Sequence, residues 1–171
     1  DDVLERSRFE RGALDERACL VDVGGVMAAV VDGERGTRDV GLERIERIAA
    51  TEAAADGQHW TFTPMVDVSR DPRWGRVMEG AGEDPYLGSR VAEARVRGIQ
   101  GHDLADPLTI AACTKHFAGY GFSEAGRDYN TVDLSPQRLR ETVLPPFKAA
   151  ADAGSATFMN AFNTLNGTPA S

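Results

Sequence analysis

Residues 63–84 read TPMVDVSRDPRWGRVMEGAGED, and this stretch decides the fold because it joins a predicted strand to a predicted helix. The strand covers residues 59–65, a short β-rich run in which Pro64 lies at the far end. The helix starts after Asp84, which is a suitable N-cap, with Pro85 as its first residue. In such strand–loop–helix units, ligands bind on the loops that leave the carboxyl ends of the strands. We therefore expect a binding loop in an α/β protein.

The same alternation of helix and strand continues on both sides of this loop. Apolar residues at spacings of three and four predict helices over residues 41–57, 85–101 and 135–154. Pro145 and Pro146 should kink or interrupt the third helix, because proline lacks the backbone N–H that an interior helical position donates. Compact apolar runs predict further buried strands over residues 108–113 and 156–161.

Strands separated by helices of this length pair in parallel through right-handed crossovers. No glycine pattern of a dinucleotide or phosphate loop follows any of these strands. The sequence therefore favours part of a (β/α)8 TIM-type barrel, about three consecutive βα units, over a doubly wound sheet. A complete barrel takes about 250 residues, more than the 171 of this chain. Residues 41–171 form the predicted partial barrel domain, and residues 1–40 are an atypical N-terminal segment that we leave unassigned.

Composition narrows the class of partner. A formal net charge of −8 argues against binding to nucleic acids or anionic membranes, which need a basic surface. The two cysteines, Cys19 and Cys113, lie far apart and suggest neither a disulfide framework nor a metal site. We predict no cofactor, no metal and no membrane span, and the charged N-terminus does not resemble a signal peptide. A small or neutral ligand is the expected partner.

Charged side chains follow the predicted strands, so the fold should gather them at one edge. In the first loop, Arg70, Asp71 and Arg73 suit an ion-pair lattice that stiffens the loop, whereas Arg76 is the better candidate for a ligand contact. Lys115 and His116 end the second strand. Because adjacent residues of a strand point to opposite faces, the backbone must turn there if both are to reach one ligand. Cationic and imidazole donors suit the vicinal hydroxyls of a sugar.

Two later segments add weaker candidates. After the second strand, Glu124, Arg127 and Asp128 are either ligand contacts or parts of a solvated loop. After the third strand, Phe162 is either a core residue or a wall against the face of a sugar ring. These residues extend the predicted site across three successive loops.

Three long motifs give the chain a family resemblance. HWTFTPMVDVSRDPRWGRVMEGAGEDPYLGS, TKHFAGYGFSEAGRDYNTVDLSPQRL and FMNAFNTLNGTPAS occur in this order. They resemble glycoside hydrolase family 3, and within it the bacterial periplasmic β-glucosidase branch. The resemblance implies an N-terminal (β/α)8 barrel, hydrolysis of terminal non-reducing β-D-glucosyl residues with retention, and a periplasmic or secreted location.

The resemblance also assigns residues. It implies that Arg76, Lys115, His116 and Arg127 bind the hydroxyls of the innermost glucose, and we add Phe162 to this substrate-binding set. The N-acetylglucosaminidase branch usually reads KHFPGHG, with a catalytic His on that loop. This chain has Ala118 and Tyr120 at those places. A β-xylosidase, a β-N-acetylglucosaminidase and a non-catalytic sugar-binding fragment remain alternatives to the β-glucosidase.

Retaining hydrolysis needs two carboxyl groups about 5 Å apart, a nucleophile and an acid/base. The resemblance places the nucleophilic Asp beyond Ser171 and the acid/base Glu in a later domain, so we expect no catalytic residue here and little activity from the isolated chain. If the chain does turn over substrate, Asp67 or Glu79 would be suspects. Asp22 and Asp39 are weak counterparts of the family's early substrate-binding Asp. A further alternative is a Schiff-base lyase that uses Lys115 as its nucleophile.

Overall fold

The computed structural model describes residues 38–171, with side chains described from residue 41 onward. Its helices are α1 (Arg38–Ala55), α2 (Pro85–Gln100), α3 (Pro136–Arg138) and α4 (Leu144–Asp152). Its strands are β1 (Cys113–Phe117), β2 (Thr157–Asn160), β3 (Thr164–Leu165) and β4 (Thr168–Pro169). The candidate carboxylates Asp22 and Asp39 lie outside the described side chains, as does most of the unassigned segment of residues 1–40.

Three extended segments run in parallel. β1 pairs with β2 in parallel register. On its other side, β1 and the residues just before it pair with residues 59–66, through N–H···O distances of 3.0 Å from Thr61 to Ala111 and 2.9 Å from Cys113 to Thr63. Helix α2 connects the first segment to β1, and α3 and α4 connect β1 to β2. This order confirms the predicted α/β class.

Helix α2 has the ends that the sequence predicts. The Asp84 carboxylate accepts a hydrogen bond from the Tyr86 N–H at 2.9 Å, and Pro85 is the first residue of the helix. Gly101 ends it at a φ of 60°, a conformation that suits glycine because it has no Cβ. The apolar face, with Val91, Ala94 and Ile99, is buried as the spacing predicts.

The predicted strand over residues 108–113 is wrong in position, because β1 begins only at Cys113. The backbone before it is engaged in turns. The Asp106 carboxylate accepts from the Leu108 N–H at 2.8 Å, and the Ile110 N–H points to the Ile99 carbonyl at the end of α2. Pairing with residues 59–66 already begins at Ala111, whereas pairing with β2 begins at Cys113, so that Lys115 lies inside the strand rather than after it.

The third predicted helix is one continuous helical stretch with a wide turn in its middle. Residues Leu139–Val143 form a π-helical turn between α3 and α4. Pro145 and Pro146 follow directly, as the second and third residues of α4. The expected interruption therefore takes the form of a π turn ahead of the prolines.

One buried side chain ties the helices to the strands. The Gln100 Oε1 atom accepts hydrogen bonds from the Ala112 N–H at 3.1 Å and the Ala156 N–H at 2.8 Å. Its Nε2 atom donates to the Gly154 carbonyl at 2.9 Å. Gln100 therefore holds the entries of β1 and β2 at the end of α2, a link that the apolar pattern does not reveal.

The main core lies between the helices and the extended segments. Its fully buried members include Ala92, Val96, Ala112, Val132 and Ala150. Helices α1 and α2 approach closely at Gly98, where an added Cβ would lie only 2.7 Å from the Glu46 Cβ. A side chain at this position would force the two helices apart.

We predict that Gly98→Ala destabilises the protein by about 1–3 kcal/mol, because overpacking a tight contact costs that much. Gly41→Ala is the matched control, since a Cβ at Gly41 in α1 has no atom within 4 Å. Alanine should leave stability unchanged there, or raise it by up to about 1 kcal/mol through helix propensity. Urea unfolding of the three proteins measures both effects. Equal behaviour of the two variants would contradict the packing argument.

Candidate functional site

The charged candidates meet at the carboxyl end of the parallel segments. Arg76 lies beyond the first segment, at the start of the short 3-10 turn Val77–Glu79, and Lys115 and His116 lie in β1. The pairing of β1 with β2 shifts register between Lys115 and Phe117. This irregularity confirms that the strand departs from regular alternation at this point.

His116 is the centre of the cluster and is almost fully buried. Its backbone N–H donates to Asp67 Oδ2 at 3.0 Å, and its ring Nδ1 lies 2.9 Å from the same oxygen. On the other side of the ring, Nε2 lies 3.2 Å from Arg76 Nη1. The structure therefore brings two predicted binding residues into direct contact and adds Asp67 beneath them.

Asp67, one of the two suspect carboxylates, is buried rather than open to a ligand. Burial raises the pKa of its carboxyl, and the hydrogen bonds from His116 act in the opposite direction. The sequence marked Asp67 only as a charge in the loop, because its contact with His116 spans 49 positions of the chain.

Arg76 is held on its second side by Glu79. The Arg76 Nε and Nη2 atoms donate to the two Glu79 carboxylate oxygens at 2.7 and 2.8 Å. This pair lowers the pKa of Glu79 and raises that of Arg76, because each charge stabilises the other. The guanidinium also lies 5.8 Å from the centre of the Tyr120 ring. Arg76 is thus oriented before any ligand arrives.

Lys115 lies beside this cluster and is half-buried. Within residues 41–171, its ammonium group has no hydrogen bond or ion pair. Burial lowers its pKa, the nearby Arg76 charge lowers it further, and the Glu79 carboxylate partly offsets both effects. An unpaired, partly desolvated cation next to Arg76 is available to a polar ligand.

Aromatic rings form one side of the site. The exposed Phe162 ring lies 6.3 Å from the His116 ring and 5.1 Å from the exposed Tyr129 ring. Behind them, the fully buried Tyr120 ring lies 4.9 Å from His116 and 5.3 Å from Trp74. The predicted Phe162 is thus part of a larger aromatic cluster. The roles of Tyr120 and Tyr129 were missed because they depend on how the second loop folds back.

Arg127 is not brought into contact with the other candidates. Its side chain is exposed, and we find no hydrogen bond or ion pair from it to any side chain that the structure describes. Its neighbour Asp128 accepts a hydrogen bond from the Trp74 indole Nε1 at 3.4 Å. A binding role for Arg127 therefore stays a prediction.

The first loop is braced by its own charges. Arg73 and Asp71 form a bidentate pair, which lowers the pKa of Asp71 to about 2, and Arg70 lies 3.7 Å from Glu83. These contacts agree with the expected stiffening role of Arg70, Asp71 and Arg73. They leave Arg76 as the arginine of this loop that contacts the His116 cluster.

Two glycines of the second loop pack directly on the backbone of the first. An added Cβ at Gly121 would meet the Val68 carbonyl group, and one at Gly126 would lie 2.7 Å from the Trp74 nitrogen. Gly126 also has a φ of 65°. The two loops that carry the candidate residues are therefore in close backbone contact.

The described residues contain neither a group of side chains suited to a metal ion nor a helix suited to crossing a membrane. Among residues 38–171, no group of three His, Cys, Asp or Glu side chains could hold a metal ion. No helix in that range is both long and apolar enough to cross a membrane.

Residues 26–171 match the sequence model described as the glycosyl hydrolase family 3 N terminal domain. Among curated proteins, the chain is 54% identical over 129 residues to a periplasmic β-glucosidase of Salmonella typhimurium, which covers 75% of this chain and 17% of that protein. It is 41% identical over 132 residues to a β-xylosidase of Formosa agariphila, covering 75% of this chain and 18% of that one.

Solved structures show a similar fold. The crystal structure of a β-glucosidase from Listeria innocua superimposes with a TM-score of 0.77 and 44% identity, over 85% of this chain and 20% of that one. The complex of a β-glucosidase from the same organism with isofagomine gives a TM-score of 0.73 and 48% identity, over 75% and 18% of the two chains. The chain spans less than a fifth of the length of these curated relatives.

We predict that the Lys115 ammonium loses its proton below the ordinary lysine pKa of 10.5, because burial and Arg76 disfavour the charged form. Raising the pH should therefore discharge Lys115 earlier than an exposed lysine. The chain has only two lysines, Lys115 and Lys148, so a 13C-lysine NMR titration is readily assigned with Lys148→Arg. Glu79→Gln should lower the pKa of Lys115 further. A Lys115 midpoint at or above 10.5 would contradict this description of the site.

Proposed function

Because the chain belongs to glycosyl hydrolase family 3, in the N-terminal domain of that family, we propose that it forms the glucose-binding side of a retaining β-glucosidase active site. The observation that carries this proposal is the convergence of Arg76, Lys115 and His116 at the carboxyl end of adjacent parallel segments. They come from two different segments of the chain, as expected of a binding site on an α/β scaffold.

The chemistry of this cluster suits a neutral sugar. Arg76 and Lys115 supply cationic N–H donors, which bind vicinal hydroxyls, and the half-exposed Phe162 ring supplies an apolar surface for the C–H face of a pyranose. The net charge of −8 argues against an anionic ligand, because the summed field of the chain repels it. Arg127 is proposed as a further contact that a bound ligand brings into the site.

We propose that the three parallel segments belong to consecutive βα units of a (β/α)8 barrel. The parallel order of residues 59–66, β1 and β2, with helices between them, supports it. In the complete protein, the remaining units would supply the other wall of the site.

The reacting carboxylates are proposed to come from outside the described residues. Retaining glycosidases place two carboxyl groups about 5 Å apart, and both must reach the anomeric carbon. Asp67 is buried and bonded to His116, and Glu79 is paired with Arg76. Neither is free to act as a nucleophile without dismantling the cluster.

Glucose is proposed as the sugar in preference to xylose. The 54% identity to the Salmonella typhimurium β-glucosidase exceeds the 41% identity to the Formosa agariphila β-xylosidase. Ala118 and Tyr120 stand where the KHFPGHG motif of the N-acetylglucosaminidase branch has Pro and His, which gives no support to that activity. By the same relative, we propose a periplasmic or secreted location.

We predict that the 171-residue chain does not hydrolyse an aryl β-glucoside, whereas the complete protein that carries it does. The reason is that both carboxylates of the described cluster are engaged in hydrogen bonds. Release of the coloured phenol measures both activities, with the aryl β-xyloside as the competing substrate. Robust turnover by the 171-residue chain would show that a reacting carboxylate pair exists within it, and faster xyloside hydrolysis by the complete protein would favour a β-xylosidase.

We predict that Arg76→Ala weakens glucose binding by the complete protein roughly 10- to 150-fold, since hydrogen bonds from a charged donor contribute about 1.5–3 kcal/mol. Arg73→Ala is the matched control in the same loop, because Arg73 is exposed and paired with Asp71. It should change glucose affinity less than about twofold. Isothermal titration with glucose measures both, and an equal loss in the two variants would argue against a specific role for Arg76.

A further inference from the structure

We propose that Asp67 is a positioning residue that acts on Arg76 through the His116 ring. Its carboxylate holds the ring proton on Nδ1, so that the unprotonated Nε2 accepts a hydrogen bond from the Arg76 guanidinium. The ligand part of this inference rests on the proposed function, whereas the protonation of the ring does not. Nothing in the sequence motifs assigns Asp67 a role of this kind.

The pair formed by Asp67 and His116 is buried. Asp67 and His116 are each at most 3% exposed, and both hydrogen bonds from His116 end on the same oxygen, Oδ2. A carboxylate that binds the backbone and the ring of one residue fixes the ring relative to the strand. Edge contact with Tyr120 at 4.9 Å limits rotation of the ring further.

The hydrogen-bond partners of the His116 ring determine which nitrogen carries its proton. A guanidinium group has only donors, so the nitrogen of His116 that faces Arg76 must be an acceptor. Nε2 therefore carries no proton, and the neutral ring must carry its proton on Nδ1. This is the tautomer that donates to Asp67, and an ionised carboxylate is an acceptor only. With Asp67 Oδ2 as the acceptor of both hydrogen bonds from His116, the two ring contacts fit the tautomer protonated on Nδ1 and not the one protonated on Nε2.

Glu79 and His116 do not use all the N–H donors of Arg76. Of its five N–H donors, two are used by Glu79 and one by His116. The other two are not engaged by Glu79 or His116, and the Tyr120 hydroxyl interacts with the same guanidinium. Since Glu79 is partly exposed and His116 is buried, the contact with His116 is the one that ties Arg76 to the interior. Asp67 thus determines indirectly where the two remaining donors point.

The test uses Asp67→Leu, which is close to aspartate in size and has no hydrogen-bonding group. Asparagine is unsuitable, because its carbonyl oxygen can take the place of Oδ2 and accept both hydrogen bonds from His116. Two-bond 1H–15N NMR spectra of the 171-residue chain report which nitrogen is protonated. The chain has three histidines, so His116→Gln identifies the signal. We expect a proton on Nδ1 alone in the unmodified chain and a measurable share on Nε2 in Asp67→Leu, which has no acceptor to hold the proton on Nδ1.

A proton on Nε2, or on both nitrogens, in the unmodified chain at neutral pH would overturn the proposal. This result stands even if Asp67→Leu does not fold, because it needs only the unmodified chain. It is also independent of glucose binding, so failure of the proposed function would not be mistaken for failure of this inference.

A double-mutant cycle on glucose binding in the complete protein tests the link to Arg76. If Asp67 acts through Arg76, Asp67→Leu should weaken binding about tenfold in the presence of Arg76 and less than about twofold in an Arg76→Ala background. Equal effects in both backgrounds would show that Asp67 acts independently, and would overturn the proposal. Urea unfolding of the four proteins separates loss of stability from loss of binding. Absence of glucose binding by the unmodified protein would refute the proposed function instead.

Discussion

The constraint on which the site depends is the burial of one carboxylate, Asp67. A buried negative charge is tolerated only when hydrogen bonds replace its lost water, and His116 supplies two of them. These hydrogen bonds tie the loop just beyond the first parallel segment to β1, at the point where the pairing of β1 with β2 shifts register. The orientation of His116, and through it that of Arg76, follows from that single requirement.

The surrounding packing makes the cluster rigid. Tyr120 lies between Trp74 and His116, so the aromatic rings support the polar residues from below. Glu79 and His116 hold Arg76 from two sides, which reduces the conformational entropy that a ligand would otherwise have to remove. Lys115 is the exception, because within the described residues its ammonium group has no partner. We interpret the site as one fixed cation and one adjustable cation beside an aromatic surface.

Local signals were sufficient to predict α2. Asp84 and Pro85 mark its start, Gly101 marks its end, and its apolar residues recur with the helical spacing of three and four. Local signals failed for the start of β1, because turns around Asp106 occupy the first residues of the predicted strand and pairing with β2 begins only at Cys113. They also could not reveal Gln100 or Asp67 as structural links, since a lone polar residue in the sequence does not show which distant backbone groups it will satisfy. Their positions after predicted strands marked Arg76, Lys115 and His116 as candidates and the family resemblance gave them a ligand, whereas the contacts between them come only from the fold.

The backbone contacts of Gly121 and Gly126 have a consequence for how this domain can vary among relatives. Because the second loop rests on the main chain of Val68 and Trp74, a change in the backbone of one loop at these contacts requires a matching change in the other. Recombination between family members should therefore tolerate crossover points within α2 poorly, because such a crossover separates two loops that pack directly on each other. Chimeric enzymes would instead have to exchange residues 66–134 as one block.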